Sequence, residues 1–109
     1  MLKFQIKNPS TQWFTSHNFT YSSVYSKCND ENIYLYRFPV LRYENYITLE
    51  CEFMASESSG EVNVNVYDYN TRSKYAPWYY NDNVIHDKIC DKIRQRIDVE
   101  AHKLGIADT

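Results

Sequence analysis

The segment Glu61 to Tyr69, EVNVNVYDY, alternates apolar and polar residues with a period of two. A strand with that pattern sends Val62, Val64 and Val66 to one face and Asn63, Asn65, Tyr67 and Tyr69 to the other. The same period runs through Leu2 to Lys7, with Leu2, Phe4 and Ile6 on one side, and through Tyr46 to Met54, with Ile47, Leu49, Cys51 and Phe53 inward. Ile33 to Phe38 reads as a further strand ended or bulged by Pro39, and Asn18 to Lys27, rich in Tyr, Phe, Thr and Val, as another. Turn chemistry separates them at Asn8-Pro9-Ser10, Cys28 to Asn32, Tyr43 to Asn45 and Ser56 to Gly60. Connections this short favour antiparallel neighbours. Trp13 and Phe14, within the ambiguous segment 11–17, are expected to plug the core from a loop.

Beyond residue 80 the period changes. Ile85, Ile89, Ile93, Ile97 and Ala101 recur every fourth residue, with Leu104 on the same side, which predicts one long helix with a continuous apolar stripe. Asn81 or Asp82 is suited to the N-cap, Asp87 to the positive end of the dipole, and Gly105 to a left-handed terminus with Ile106 folding back on the last turn. The expected fold is therefore α+β over residues 1–109 as a single domain. It is an antiparallel meander of four to five strands with a long C-terminal helix on one face.

One helix covers a stripe about 10 Å across, and four or five strands span about 20–24 Å, so one side of the sheet is left without a cover. The pattern assigns Ile33 and Leu35 to the covered side. It assigns Tyr34, Tyr36, Phe38, Tyr46, Thr48, Glu50, Glu52, Met54, Asn63, Asn65, Tyr67 and Tyr69 to the open one. Tyrosine brings large contact area at low entropy cost, so that side is a candidate partner-binding surface, although cross-strand tyrosine pairs also stabilise a sheet by themselves. The connector Tyr75-Ala-Pro-Trp-Tyr-Tyr80 adds Trp78 and Tyr79 as candidate anchors. If this assignment holds, Tyr36→Ala or Tyr67→Ala costs binding far more than folding.

Composition narrows the function. The chain has 109 residues, 17% of them aromatic, including 11 tyrosines, and a formal charge of −2. That charge lacks the basic footprint of a nucleic-acid binder. No apolar run approaches the ~20 residues of a membrane helix. Cys28, Cys51 and Cys90 form no C-x-x-C pair, and an odd count without a signal peptide points to the cytoplasm. His86 and Cys90, four apart on the helix, are the one arrangement resembling a thiol–base or metal pair; a structural metal needs further ligands, and none is well placed. No catalytic, cofactor or phosphate-binding motif is present, so no enzyme and no cofactor is expected. The leading expectation is a small protein-binding module, such as a phage- or mobile-element-borne inhibitor of a host defence enzyme, or an accessory subunit. Its rivals are a homodimer joined through the tyrosine face, a single-stranded nucleic-acid binder, and a thiol enzyme using Cys90 and His86.

Overall fold

The computed structural model describes residues 3–80 and 87–108. In chain order the elements are β1 (Lys3–Gln5), α1 (Thr11–Ser16), β2 (Thr20–Ser22), α2 (Ser23–Asn29), β3 (Ile33–Tyr43), β4 (Tyr46–Ser56), β5 (Glu61–Asp68), α3 (Ala76–Tyr79), α4 (Asp87–Leu104) and β6 (Ala107–Asp108). The strands form one six-stranded sheet in the order β2-β3-β4-β5-β1-β6, and every pairing is antiparallel. Four consecutive strands thus make the expected meander, and the N-terminal strand docks beside the valine strand, with Phe4 opposite Val62.

Register fixes which residues share a face, because directly paired residues point the same way. Tyr34 pairs with Ala55, Tyr36 with Phe53 and Phe38 with Cys51, and these in turn pair with Val62, Val64 and Val66. The covered face therefore contains Tyr34, Tyr36 and Phe38. For β3 this reverses the expected assignment. Leu35 and Arg37 lie on the opposite side, with Ile33 buried there beside α2, where Ser26 Oγ accepts the Ile33 N–H at 2.8 Å. The reason is physical: apart from Arg37, both parities of Ile33–Phe38 are apolar or aromatic, so alternation alone does not choose between them. Pairing through the β3–β4 hairpin does.

Two helices cover that face. In α1, Ser10 caps the first turn by accepting the Trp13 N–H at 3.1 Å. Phe14, fully buried, stacks on Tyr34 with ring centroids 4.2 Å apart. Segment 11–17 is thus a short helix rather than a loop, though its rings fill the core as expected. In α4, Cys90, Ile93, Ile97, Glu100, Ala101 and Leu104 are buried, while Ile89 remains 43% exposed. The inward stripe therefore steps by threes and fours, with Cys90 taking the place expected for Ile89. Gly105 closes the helix at φ +74°, and the Ile106 N–H reaches the Ala101 carbonyl at 2.9 Å, the Schellman arrangement. The proposed N-caps Asn81 and Asp82, with Ile85, fall outside the described residues.

One other expectation changes: only Thr20–Ser22 of segment 18–27 is strand, and Ser22 then caps α2 by accepting the Tyr25 N–H at 3.2 Å. At Pro39, of the two outcomes expected, the bulge is found: β3 continues to Tyr43 with a register shift between Pro39 and Leu41. Because β2 pairs only with residues 33–35, the strand beyond has no neighbour on that side among the described residues, and a missing N–H is tolerated at such a border.

Beneath α4, the Tyr36 hydroxyl donates to Glu100, which also accepts from Arg96 at 2.8 Å. Burial, then the bond to Glu100 and its charge, push the Tyr36 phenol from 10.0 up to about 12. Folding favours the neutral phenol, so its contribution to stability is complete below the ordinary tyrosine range and disappears as pH rises through about 12. Alkaline titration followed by tyrosinate absorbance is expected to lose this late ionisation in Tyr36→Phe, and stability should fall less steeply over that window. An unchanged stability profile in the variant would mean that Tyr36 and Glu100 do not interact.

Candidate polar cleft on the open sheet face

The side of the sheet away from α4 carries an open cleft of about 570 Å³. Its floor is the middle of β4, where Glu52 and Met54 line the cleft and Glu50, the next outward position, lies beside it, flanked by Arg37 of β3 and by Asn65 and Tyr67 of β5. Both carboxylates are held. Glu52 accepts from Arg37 Nε at 2.9 Å and from Asn65 Nδ2 at 3.4 Å. Glu50 accepts from the Tyr67 hydroxyl and from Arg72 Nη1 at 3.2 Å. Arg37 reaches Glu52 because the hairpin register pairs the two residues directly.

Arg72 is delivered by a turn. Asp68 Oδ1 accepts the N–H groups of Asn70 and Thr71, both at 2.9 Å, and these bonds hold the Asp68 carboxyl below its usual range. Arg72 itself takes the left-handed conformation at φ +65°, which costs an ordinary residue about 1 kcal/mol. The result returns the chain along β5, with Lys74 bridged to Tyr67 and the Tyr75 N–H on the Val66 carbonyl at 3.0 Å. The Arg72 guanidinium lies 5.4 Å from the Tyr67 ring centre and 5.2 Å from that of Tyr69. Lys74 Nζ lies 5.2 Å from the ring centre of Tyr79. The Tyr79 hydroxyl in turn accepts the Val66 N–H at 3.0 Å and donates to Asn65 Oδ1 at 3.4 Å. Tyr25, from α2, completes the rim.

Charge is layered in depth. The Glu52 and Glu50 side chains are only 6% and 11% exposed, whereas those of Arg37 and Arg72 are 50% and 58% exposed. Acid therefore forms the floor and base the rim. Burial alone would weaken the Arg37 guanidinium's hold on its proton, but the bond to Glu52 and the adjoining carboxylate charge win, and its pKa is raised. Burial, then the bond to Glu50 and its charge, push the Tyr67 phenol up as well. Burial likewise raises that of Tyr79. At neutral pH the Arg37 guanidinium is therefore charged and the Tyr67 and Tyr79 phenols are protonated. Among the described residues, Arg37 bonds a side chain only through Nε, and Arg72 only through Nη1. The remaining guanidinium donors are free to meet a ligand.

The residues expected at a partner surface divide into groups. Asn65, Tyr67 and Tyr79 line the cleft, Tyr69 backs it through Arg72, and Asn63 is exposed farther along the same face. Tyr34 and Tyr36 are on the helix-covered side, for the register reason given above. Tyr46 is exposed at the tip of the β3–β4 hairpin opposite Tyr43. Trp78 is buried, with the Arg94 guanidinium 5.6 Å from its ring centre, so it anchors α3 to α4 instead of facing a partner. Cys90 is also buried, its thiol 3.7 Å from the Pro77 carbonyl, and His86 lies outside the described residues. Arg37, Arg72, Lys74 and Tyr25 were not anticipated. Arg37 would have followed from the Glu52 pairing once the hairpin register was known; the others come from a helix and a turn that alternation does not report.

The class defined by fold and site is an α+β domain with α1 and α4 on one side of an antiparallel sheet, and α2 beside a basic, tyrosine-rimmed cleft on the other. Comparison with protein-family models, with curated proteins and with solved structures finds no match to this chain. Among the described residues no helix is long and apolar enough to cross a membrane, and no group of three or more His, Cys, Asp or Glu is placed to hold a metal ion.

Proposed function

We propose that this protein is a non-catalytic protein-binding module that docks its partner on the open sheet face, centred on the Glu50–Glu52 cleft. One observation carries the reading: both carboxylates are occupied in holding arginines, so the cleft presents spare guanidinium donors and tyrosine rings. Arginine and tyrosine are the residue types that dominate binding energy at interfaces, and here they are positioned by other side chains before a partner arrives. Acid–base chemistry would call for a group poised to change its protonation near neutrality. The raised phenols of Tyr67 and Tyr79 move away from that condition. Within this reading the role is that of an inhibitor or accessory subunit acting in the cytoplasm, a compartment that suits free Cys28, Cys51 and Cys90.

The test is affinity capture from the native host with the wild-type chain and with Lys74→Glu, read by mass spectrometry. Lys74 is exposed and its substitution leaves both glutamate–arginine pairs intact. The expected result is a protein retained by the wild-type chain and lost from the variant, with equal thermal midpoints. Identical retention by both chains would refute the cleft as the docking site.

A further inference from the structure

We infer that the cleft receives a carboxylate side chain, an Asp or Glu on an acidic segment of the partner protein, between Arg37, Arg72 and Lys74. This rests on the binding-module reading above and names the chemistry it recognises. Arg37, Arg72, Lys74 and Glu52 line the cleft, and Glu50 lies beside it, bonded to Arg72; together they give three positive and two negative charges, a net charge of +1. The depth order makes the positive charge the accessible part, because the carboxylates lie under the guanidinium groups that bind them.

The same layering selects the valence of the ligand. A single carboxylate meets several free N–H donors at the rim and neutralises the excess charge. A phosphodiester chain or a phosphate dianion brings more negative charge above Glu50 and Glu52 than the rim can offset. The guanidinium fork matches a carboxylate in plane and spacing, and such charge-assisted bonds are among the stronger protein hydrogen bonds. The volume, about 570 Å³, falls within the range of ligand-sized pockets. Tyr25 and Tyr79 give the neighbouring residues of an extended segment rings to lie against.

The experiment is an NMR titration of the full chain at low salt, following the Arg37 and Arg72 Nε–H signals and the Asn65 side-chain amide. The probes are a blocked alanine hexapeptide carrying one glutamate, its glutamine counterpart, hexathymidylate and inorganic phosphate. The glutamate peptide is expected to shift these signals at millimolar concentration, with the glutamine peptide about tenfold weaker. Lys74→Gln and Arg37→Lys, the latter retaining a charge for Glu52, should each weaken the glutamate peptide severalfold. Absence of shifts with the glutamate peptide overturns the inference. So does an equal or stronger response to hexathymidylate, which would make the cleft a nucleic-acid site, or to phosphate, which would make it a general anion site. If the glutamate peptide fails while Lys74→Glu still abolishes capture of the host protein, only the carboxylate assignment falls. If capture is also unaffected, the binding-module reading falls with it.

Discussion

Phe53→Ala is expected to destabilise the protein by about 3–5 kcal/mol, the usual cost of emptying a fully buried phenylalanine site. Phe53 has no exposed surface and sits mid-strand in β4, between β3 and β5. Its ring centre lies 5.0 Å from that of Phe38, 5.8 Å from Phe4 and 6.3 Å from Tyr36. Three neighbouring rings, from β1 and β3, would lose their common contact. Since domains are typically stable by only about 5–15 kcal/mol, a large share of the total would go. Urea denaturation monitored by circular dichroism reads it directly. A loss under about 1 kcal/mol would place Phe53 at the periphery and contradict the packing described above.

Gly60→Ala should cost about 2–4 kcal/mol, the sum of left-handed strain and forced overpacking. Gly60 has φ +75°, and a β-carbon there would stand 2.5 Å from the Ile6 carbonyl oxygen and 2.7 Å from Gln5 Nε2. Gly60 also accepts the Ile6 N–H at 2.8 Å, so the β4–β5 turn clasps the end of β1 through its backbone. A methyl group would separate them and loosen the strand that carries Phe4 and, beyond it, β6. Gly105→Ala is the matched control: φ is +74°, but nothing lies within 4 Å of the added carbon. It should lose only the strain, about 1 kcal/mol. Equal effects at the two glycines, measured by the same denaturant midpoint, would mean that the clasp contributes nothing.

Alternation was a sound guide where the two parities differ in kind. In β5, valine opposes asparagine and tyrosine; in β4, Leu49, Cys51 and Phe53 oppose Glu50 and Glu52. Both strands face as their patterns predict. In β3 each parity offers greasy side chains, and the strand was assigned the wrong way round. With that correction Tyr36→Ala becomes a substitution in the packed layer, expected to weaken folding; Tyr67→Ala does so too, because that ring is only 9% exposed and its hydroxyl holds the buried Glu50. The α4 stripe was visible as a helical period, although its phase shifted from Ile89 to Cys90 because a stripe of every fourth residue drifts around the helix. Asn65 and Tyr79 were recognisable as surface groups, whereas Tyr67 faces the cleft but is itself buried. Their assembly with Arg37, Arg72 and Tyr25 was not, since it depends on hairpin register, an aspartate-closed turn and a serine-capped helix acting together.

The free border of β3 beyond Leu35 has a consequence for association. An unpaired strand edge is a template onto which another copy can zip, the first step towards ordered aggregates. Here that stretch contains Pro39, which supplies no N–H for a new ladder, the adjoining register shift, and the charged Arg37 and Arg42. A would-be added strand meets a missing donor, a kink and two like charges in succession. The polymerisation hazard created by ending the sheet there is thus countered by the border's own residues.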